Sequence, residues 1–227
     1  MEFEKWLQKY SLQINDFMLI KNAFYHSSYA NENKDCISTD NERLEFVGDA
    51  VLQFWSATFL YNQKPEISEG NMTLLRSQLV NESALADFSR QLELGQFLKL
   101  GQGELKSNGK NRDSILADLF EAFIGALYLD GGMDNVNKIM DLTIRKTFIQ
   151  INQDDLMDYK TKLQEYVQSD KRKTVFYEII STSGPANNPT FVSVVKLDDL
   201  VLGKGIGSSK KKSQQQAAKD ALEKLAK

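Results

Sequence analysis

A chain of 227 residues, 41% hydrophobic and 26% charged, has room for two folded units and the composition of globular protein with a packed core. No apolar run approaches a membrane span, the N-terminal MEFEKWLQKY is charged and amphipathic, and the single cysteine, Cys36, has no internal disulfide partner. A secretory leader, a membrane anchor and a disulfide scaffold are therefore not expected, and a reducing, cytoplasmic setting is. The net charge of −3 hides an asymmetry: residues 1–150 carry 15 Lys/Arg against 21 Asp/Glu, whereas residues 151–227 carry 13 against 10. A basic tail can hold a polyanion, and an acidic body that must touch the same polyanion needs cations between them. With His26 as the only histidine, Cys/His zinc sites and histidine-pair catalysis are excluded, and a Ser-His-Asp site is not expected.

Along residues 1–150 apolar residues recur at three- and four-residue steps, so an all-α domain is predicted. Its breaks fall at Asn31–Asp40, Lys64–Glu69, Gly101–Asn111 and Gly131–Gly132. Residues 151–156 are predicted to be a linker, within a stretch rich in Asp, Asn and Gln. From 157 to 227 the pattern changes to a small α+β domain of order α-β-β-β-α. Its elements are a helix at Tyr159–Ser169, strands at Val175–Thr182, Thr190–Leu197 and Val201–Ile206, and a closing helix at Lys210–Ala226. Turns are expected at Gly184-Pro185-Ala186-Asn187 and at Asp198-Asp199.

The first helix that carries chemistry contains Asn41-Glu42-Arg43-Leu44-Glu45-Phe46-Val47-Gly48-Asp49-Ala50-Val51-Leu52. Its apolar residues, continued by Phe54 and Trp55, spread over most of the circumference, so burial on nearly every side is expected. Glu42, Glu45 and Asp49 nevertheless share an arc of roughly 60°. A second apolar helix, Ser114–Gly125, repeats the conflict with Asp118 and Glu121 at i, i+3. A lone carboxylate of this kind is ordinarily a cap, an ion-pair partner or a solvated group. Two core helices each bearing a stripe of acids, with few basic residues alongside, point instead to carboxylates gathered around hard divalent cations. Gly48 and Gly125 would let a neighbouring helix come close. Such a cluster suits in-line displacement at phosphorus, and hence phosphodiester hydrolysis.

In the second domain Lys210, Lys211 and Lys212 open the last helix, where cations oppose the helix dipole. A sequence selected for stability alone would place acids there, so a phosphate-binding role is expected, with Ser209 as the cap. The helix Lys160–Gln168 presents Thr161, Gln164, Glu165 and Gln168 outward, short polar groups suited to the shallow minor groove of A-form RNA.

These residues resemble a known family. Asn41–Leu52 is similar to the ribonuclease III motif, and Gly103–Ser107 with Ser114–Gly125 is similar to that family's second conserved block. Residues 157–226 resemble a double-stranded-RNA-binding domain at Lys160–Gln168, Gly184-Pro185 and Gly207–Ala218. The resemblance implies a homodimeric endoribonuclease, dependent on Mg²⁺ or substituting Mn²⁺, that cuts double-stranded RNA and leaves 5′-phosphates and short 3′ overhangs. Precursors of ribosomal RNA and other structured transcripts are the expected substrates. It implies that Glu45, Asp49, Asp118 and Glu121 are the catalytic metal ligands. Glu42 and Glu69 would lie at the edge of the site, towards the dimer partner. Thr161, Gln164, Glu165, Gln168 and Asn187 would meet the minor groove, and Lys210, Lys211 and Lys212 the phosphates.

The sequence departs from the family pattern at His26-Ser27, where Arg often follows the histidine, at Asn187 in place of a common His, and at Ser213-Gln214 in place of Ala-Glu. His26 reads as a packing or hydrogen-bonding residue. Two other readings remain open at this point. A non-cleaving binder of double-stranded RNA would use the same C-terminal domain, and a helical metal-dependent hydrolase acting on nucleotides would leave that domain idle.

Overall fold

The computed structural model describes residues 3–35, 39–151, 158–171, 174–185 and 187–225. The chain divides into two compact units, Met1–Ile151 and Asn152–Lys227. Cys36, the linker beyond residue 151, Ala186 of the expected turn and Ala226 of the expected last helix lie outside the described residues.

The first unit is helical: α1 (Phe3–Lys9), α2 (Phe17–Asn22), α3 (Ser27–Glu32), α4 (Glu42–Tyr61), α5 (Glu69–Leu79), α6 (Glu82–Gln91), α7 (Gln102–Lys106), α8 (Asp113–Gly131), α9 (Met133–Leu142) and α10 (Ile144–Gln150). Local chemistry accounts for the boundaries. Asp16 caps α2 by accepting the N–H groups of Met18 and Leu19, and Asn81 caps α6 by accepting that of Ala84. Asn108 and Gly132 adopt positive φ (60° and 70°) inside two of the breaks that the sequence predicts.

Helix α8 is the axis of this unit. Ile115, Leu116, Leu119, Phe120, Phe123, Ile124 and Leu127 are all buried, and Trp6 meets Phe123 edge to face with centroids 5.6 Å apart. Helix α4 packs along it. The expectation that α4 is buried on nearly every side does not hold: Phe46 is 80% and Phe54 66% exposed, and Ala50 and Tyr61 are exposed with them. Leu44, Val51, Leu52 and Trp55 cover the core side and leave the other apolar face uncovered. A helix that is apolar all round is normally buried all round, so this face is the exception that calls for a partner.

The second unit has α11 (Tyr159–Lys171), β1 (Phe176–Ser183), β2 (Thr190–Leu197), β3 (Leu200–Gly207) and α12 (Lys210–Leu225). The strands form an antiparallel sheet in the order β1-β2-β3, with Tyr177 opposite Val195 and Val195 opposite Gly203. Leu163 and Val167 of α11, Val195 and Leu197 of β2, and Ala217, Ala218 and Ala221 of α12 make the core. A Cβ on Gly205 would overlap the backbone of Ala217, so the glycines of β3 set how closely α12 lies on the sheet. The α-β-β-β-α order is as predicted. Asp198 takes up a positive φ of 51° at the β2–β3 turn, where the acid pair suggests one.

Candidate functional site

Helices α4 and α8 bring their carboxylates to one place. Ligand-capable oxygens of Glu45, Asp118 and Glu121 all lie within 4.8 Å of one another. The backbones hold this distance because neither Gly48 nor Gly125 carries a Cβ: one on Gly48 would overlap the carbonyl oxygen of Glu121, and one on Gly125 that of Leu44. The first turn of α4 is pinned in turn by Asn41, a buried residue whose N–H donates to Tyr25 O (2.9 Å) and whose carbonyl accepts the N–H of Glu45 (2.9 Å).

The cluster is electrostatically strained. Burial, with Asp49, Glu45 and Asp118 close by, pushes the Glu121 carboxyl up to about 8. Burial, reinforced by Asp118, Glu42, Asp40 and Asp49, raises Glu45 to about 7. Asp118 is also raised by burial, against the opposing pull of His26. None of the three is paired with Lys or Arg among the described residues. Three half-buried acids with no Lys or Arg partner among the described residues form a site that a metal ion can fill, and their all-oxygen donor set fits Mg²⁺ or Mn²⁺.

The remaining acids named from sequence sit around this core. Asp49 is exposed, accepts a hydrogen bond from the Gln53 amide (3.3 Å) and acts on both Glu45 and Glu121 through its charge. Glu42 is exposed one turn before Glu45. Glu69 stands apart at the start of α5, accepts from the Thr73 hydroxyl (3.0 Å) and helps line a hollow of about 500 Å³ with Phe54, Tyr61, Met72 and Arg76. Sequence reasoning passed over Asp40, whose charge also raises Glu45. The signal was its place directly before Asn41 and Glu42.

In the second unit Lys210, Lys211 and Lys212 are exposed on the first turn of α12, and Ser209 Oγ accepts the Lys212 N–H (3.1 Å) as the expected cap. Thr161, Glu165 and Gln168 are exposed on α11, with the Thr161 hydroxyl donating to Asp158 (2.8 Å), and Asn187 is exposed in the β1–β2 turn. Gln164 is only half-exposed, and its Oε1 accepts the N–H of Val175 (3.1 Å), so part of its hydrogen-bonding capacity is spent inside the domain. The departures at 213 and 214 have local partners. Ser213 Oγ lies 2.6 Å from Ser193 Oγ in the core, and Gln214 accepts from the Lys160 ammonium (2.8 Å).

The family description "Ribonuclease-III-like" matches residues 16–148, and "Double-stranded RNA binding motif" matches residues 159–225. The chain belongs to the ribonuclease III family. It is 45% identical over 207 residues to Ribonuclease 3 of Oceanobacillus iheyensis, covering 91% of each chain. It is 46% identical over 221 residues to Ribonuclease 3 of Streptococcus gordonii, covering 95% of this chain and 93% of that one. Its fold matches the nuclease domain of ribonuclease III from Campylobacter jejuni with a TM-score of 0.59 at 36% identity, covering 66% of this chain and 99% of that domain. It is thus an endoribonuclease of the ribonuclease III family that carries a double-stranded-RNA-binding domain. No helix among the described residues is long and apolar enough to cross a membrane.

Proposed function

We propose that the chain works as a homodimeric, Mg²⁺-dependent nuclease that cuts duplex RNA, including ribosomal precursors and other structured transcripts, into products with 5′-phosphates and short 3′ overhangs. A cytoplasmic setting goes with such substrates. The observation that carries this reading is the convergence of Glu45, Asp118 and Glu121 within 4.8 Å, none of them paired with Lys or Arg among the described residues. A divalent ion held there would polarise the scissile phosphoryl group and acidify a bound water. Glu45, Asp118 and Glu121 would supply its oxygens. Asp49, next along the same face of α4, is the fourth ligand in this reading.

The acidic body repels RNA, so capture of the duplex falls to the second unit. Lys210, Lys211 and Lys212 hold phosphates, while Thr161, Gln164, Glu165, Gln168 and Asn187 face the minor groove. Support for the dimer comes from the uncovered face of α4 with Phe46, Phe54 and Tyr61, and from the adjoining hollow that Glu69 helps line. The Campylobacter jejuni nuclease domain is likewise described with a region involved in dimer formation.

The test is a gel of long duplex RNA against single-stranded RNA, with Mg²⁺, with Mn²⁺ and with chelator. Short duplex products that need the ion and the duplex are expected. Intact duplex in every lane would end the proposal and leave a binder of double-stranded RNA.

A further inference from the structure

Asp158 stands at the head of α11, and both oxygens of its carboxylate are engaged. Oδ1 accepts the N–H of Thr161 (3.1 Å) and the side-chain amide of Gln215 (3.1 Å), and Oδ2 accepts the Thr161 hydroxyl (2.8 Å). Its carbonyl accepts the N–H of Lys162 (3.1 Å), so Asp158 is the N-cap of the helix. Burial pushes the Asp158 carboxyl up, but the hydrogen bonds from Gln215 and Thr161 outweigh it and hold the group below its ordinary value. An ionised carboxylate can only accept, so the one proton of the Thr161 hydroxyl is directed inward to Oδ2. What the exposed Thr161 has left to offer a ligand from Oγ1 is lone pairs.

The same carboxylate is tied to α12. The Gln215 amide fits only one way round, because Asp158 takes a donor while the Lys160 N–H, which donates to Gln215 Oε1 (3.1 Å), needs an acceptor. A second rung runs from the Lys160 ammonium to Gln214 Oε1 (2.8 Å). Gln215 follows Lys211 and Lys212 by four and three residues, so it shares their side of α12. The acceptor on α11 and the lysines on α12 are thus held on one frame. Duplex RNA differs from DNA by a 2′-hydroxyl, which has a proton to donate. An acceptor fixed on one frame with a phosphate grip suits that proton.

We infer that Asp158 is a positioning residue for sugar recognition: it holds the Thr161 proton, so that Oγ1 faces RNA as an acceptor for a 2′-hydroxyl, and through Gln215 it keeps that acceptor in place relative to the lysines of α12. This rests on the reading of α11 as the minor-groove face. Asp158 acts through Thr161, and what it decides is a polarity.

The test measures binding of the full-length protein to a duplex of about 20 base pairs, long enough for one such domain. Chelator is present, so the metal-dependent cleavage proposed above stops. The duplex is supplied as native RNA and with 2′-fluorine throughout, which keeps the A-form but has no proton to give. The wild type is expected to prefer the native duplex. In Asp158→Asn the amide oxygen still accepts from the Thr161 N–H and Gln215, while its NH₂ replaces Oδ2 and donates to Thr161 Oγ1. The hydroxyl proton then turns outward, and the preference for native RNA is expected to shrink about 3- to 10-fold, the worth of one hydrogen bond. Thr161→Val, with neither donor nor acceptor, should lose the same share. Each preference is a ratio measured on one protein, so partial unfolding, or the charge removed at position 158, changes both affinities alike and cancels. Should Asp158→Asn fail to fold, Asp158→Ser keeps a cap without the second oxygen and is expected to shrink the preference as well. An unchanged preference in whichever of these two folds, with a reduced one in Thr161→Val, would overturn the role of Asp158 and leave Thr161 as a groove contact. No preference in the wild type, or an unchanged one in Thr161→Val, would show instead that the minor-groove reading of Thr161 is itself wrong.

Discussion

Gly48 on α4 lies so close to Glu121 on α8 that a Cβ at position 48 would overlap the Glu121 carbonyl oxygen. The separation of the two acid-bearing helices is thus set by a missing side chain. Gly48→Ala must push the helices apart or bend one of them, at a cost of about 1–3 kcal/mol or more. The melting temperature is expected to fall by several degrees, and RNA cleavage to fall further than the lost stability explains, because Glu45 and Glu121 separate. Calorimetry and single-turnover cleavage at a temperature well below the melt check both parts. An unchanged melt and rate would show that the helices tolerate the extra atom.

The acids themselves give a sharper split between binding and chemistry. Glu121 and Asp49 lie in the first unit, and the exposed lysines of α12 in the second. Glu121→Ala and Asp49→Asn are expected to lower cleavage by more than the roughly 100-fold that loss of an outer partner costs, with duplex RNA still bound. Cleavage rates read beside gel-shift affinities separate the outcomes. If both variants cut at the wild-type rate, the ligand assignment is wrong.

Most of this site was legible because helical periodicity is a strong signal: Glu45 and Asp49, and Asp118 and Glu121, fall on narrow arcs whatever the rest of the chain does. The glycine spacing was legible for the same reason. What periodicity could not provide is the identity of the partner surface. Phe46 and Phe54 are apolar, and the sequence reads them as core, yet α4 has an uncovered side within one copy of the chain. Hydrophobic pattern reports that a face is to be covered, not by which molecule. The role of Asp40 was missed because it lies before the first residue of α4, where helical periodicity assigns its charge no position against Glu45. Gln164 shows the opposite limit, since an outward helical position does not tell how far a neighbouring backbone N–H will claim the side chain.

The strained acids predict how stability depends on pH. Glu121 titrates near 8 and Glu45 near 7 in the folded chain, against an ordinary value of 4.5. Between these limits the folded state holds protons that the unfolded state has lost, so stability from these groups is full at low pH and declines as pH rises towards about 8. Protein stripped of metal should therefore melt progressively lower than Glu121→Gln as pH is raised from about 5 to about 8, since the amide carries no charge. Added Mg²⁺ should close or reverse the gap. A gap that is constant across this range would mean that Glu121 is not held protonated in the fold.

The exposed face of α4 predicts assembly. Phe46 is 80% exposed on a helix anchored in the core by Leu44, Val51, Leu52 and Trp55, so placing a charge there leaves the fold's interior untouched. Phe46→Asp is expected to convert a dimer to a monomer in analytical ultracentrifugation at micromolar concentration, with the melting of the second unit unchanged. Because a charge buried in an interface without a partner is costly, even one substitution should weaken association at least 10-fold. A Phe46→Asp protein that sediments as the wild type does would place the interface elsewhere.

Lys210, Lys211 and Lys212 predict a salt dependence. Each phosphate neutralised by a lysine releases condensed counterions, and for duplexes the slope of log affinity against log salt is about 0.9 per contact. Replacing all three with Ala should therefore flatten that slope by about 2 to 3 and weaken binding most at low salt. The effect should be the same for duplexes of unrelated sequence, because phosphate contacts carry no base information. Fluorescence anisotropy of short duplex RNA between about 50 and 300 mM salt measures both quantities. Ser209 Oγ still caps the helix in the triple variant, and removing cations from a helix N-terminus eases the dipole, so its melting temperature should hold or rise. A variant with weaker binding, an unchanged salt slope and a lower melt would show instead that the lysines support the fold of the domain rather than grip its ligand.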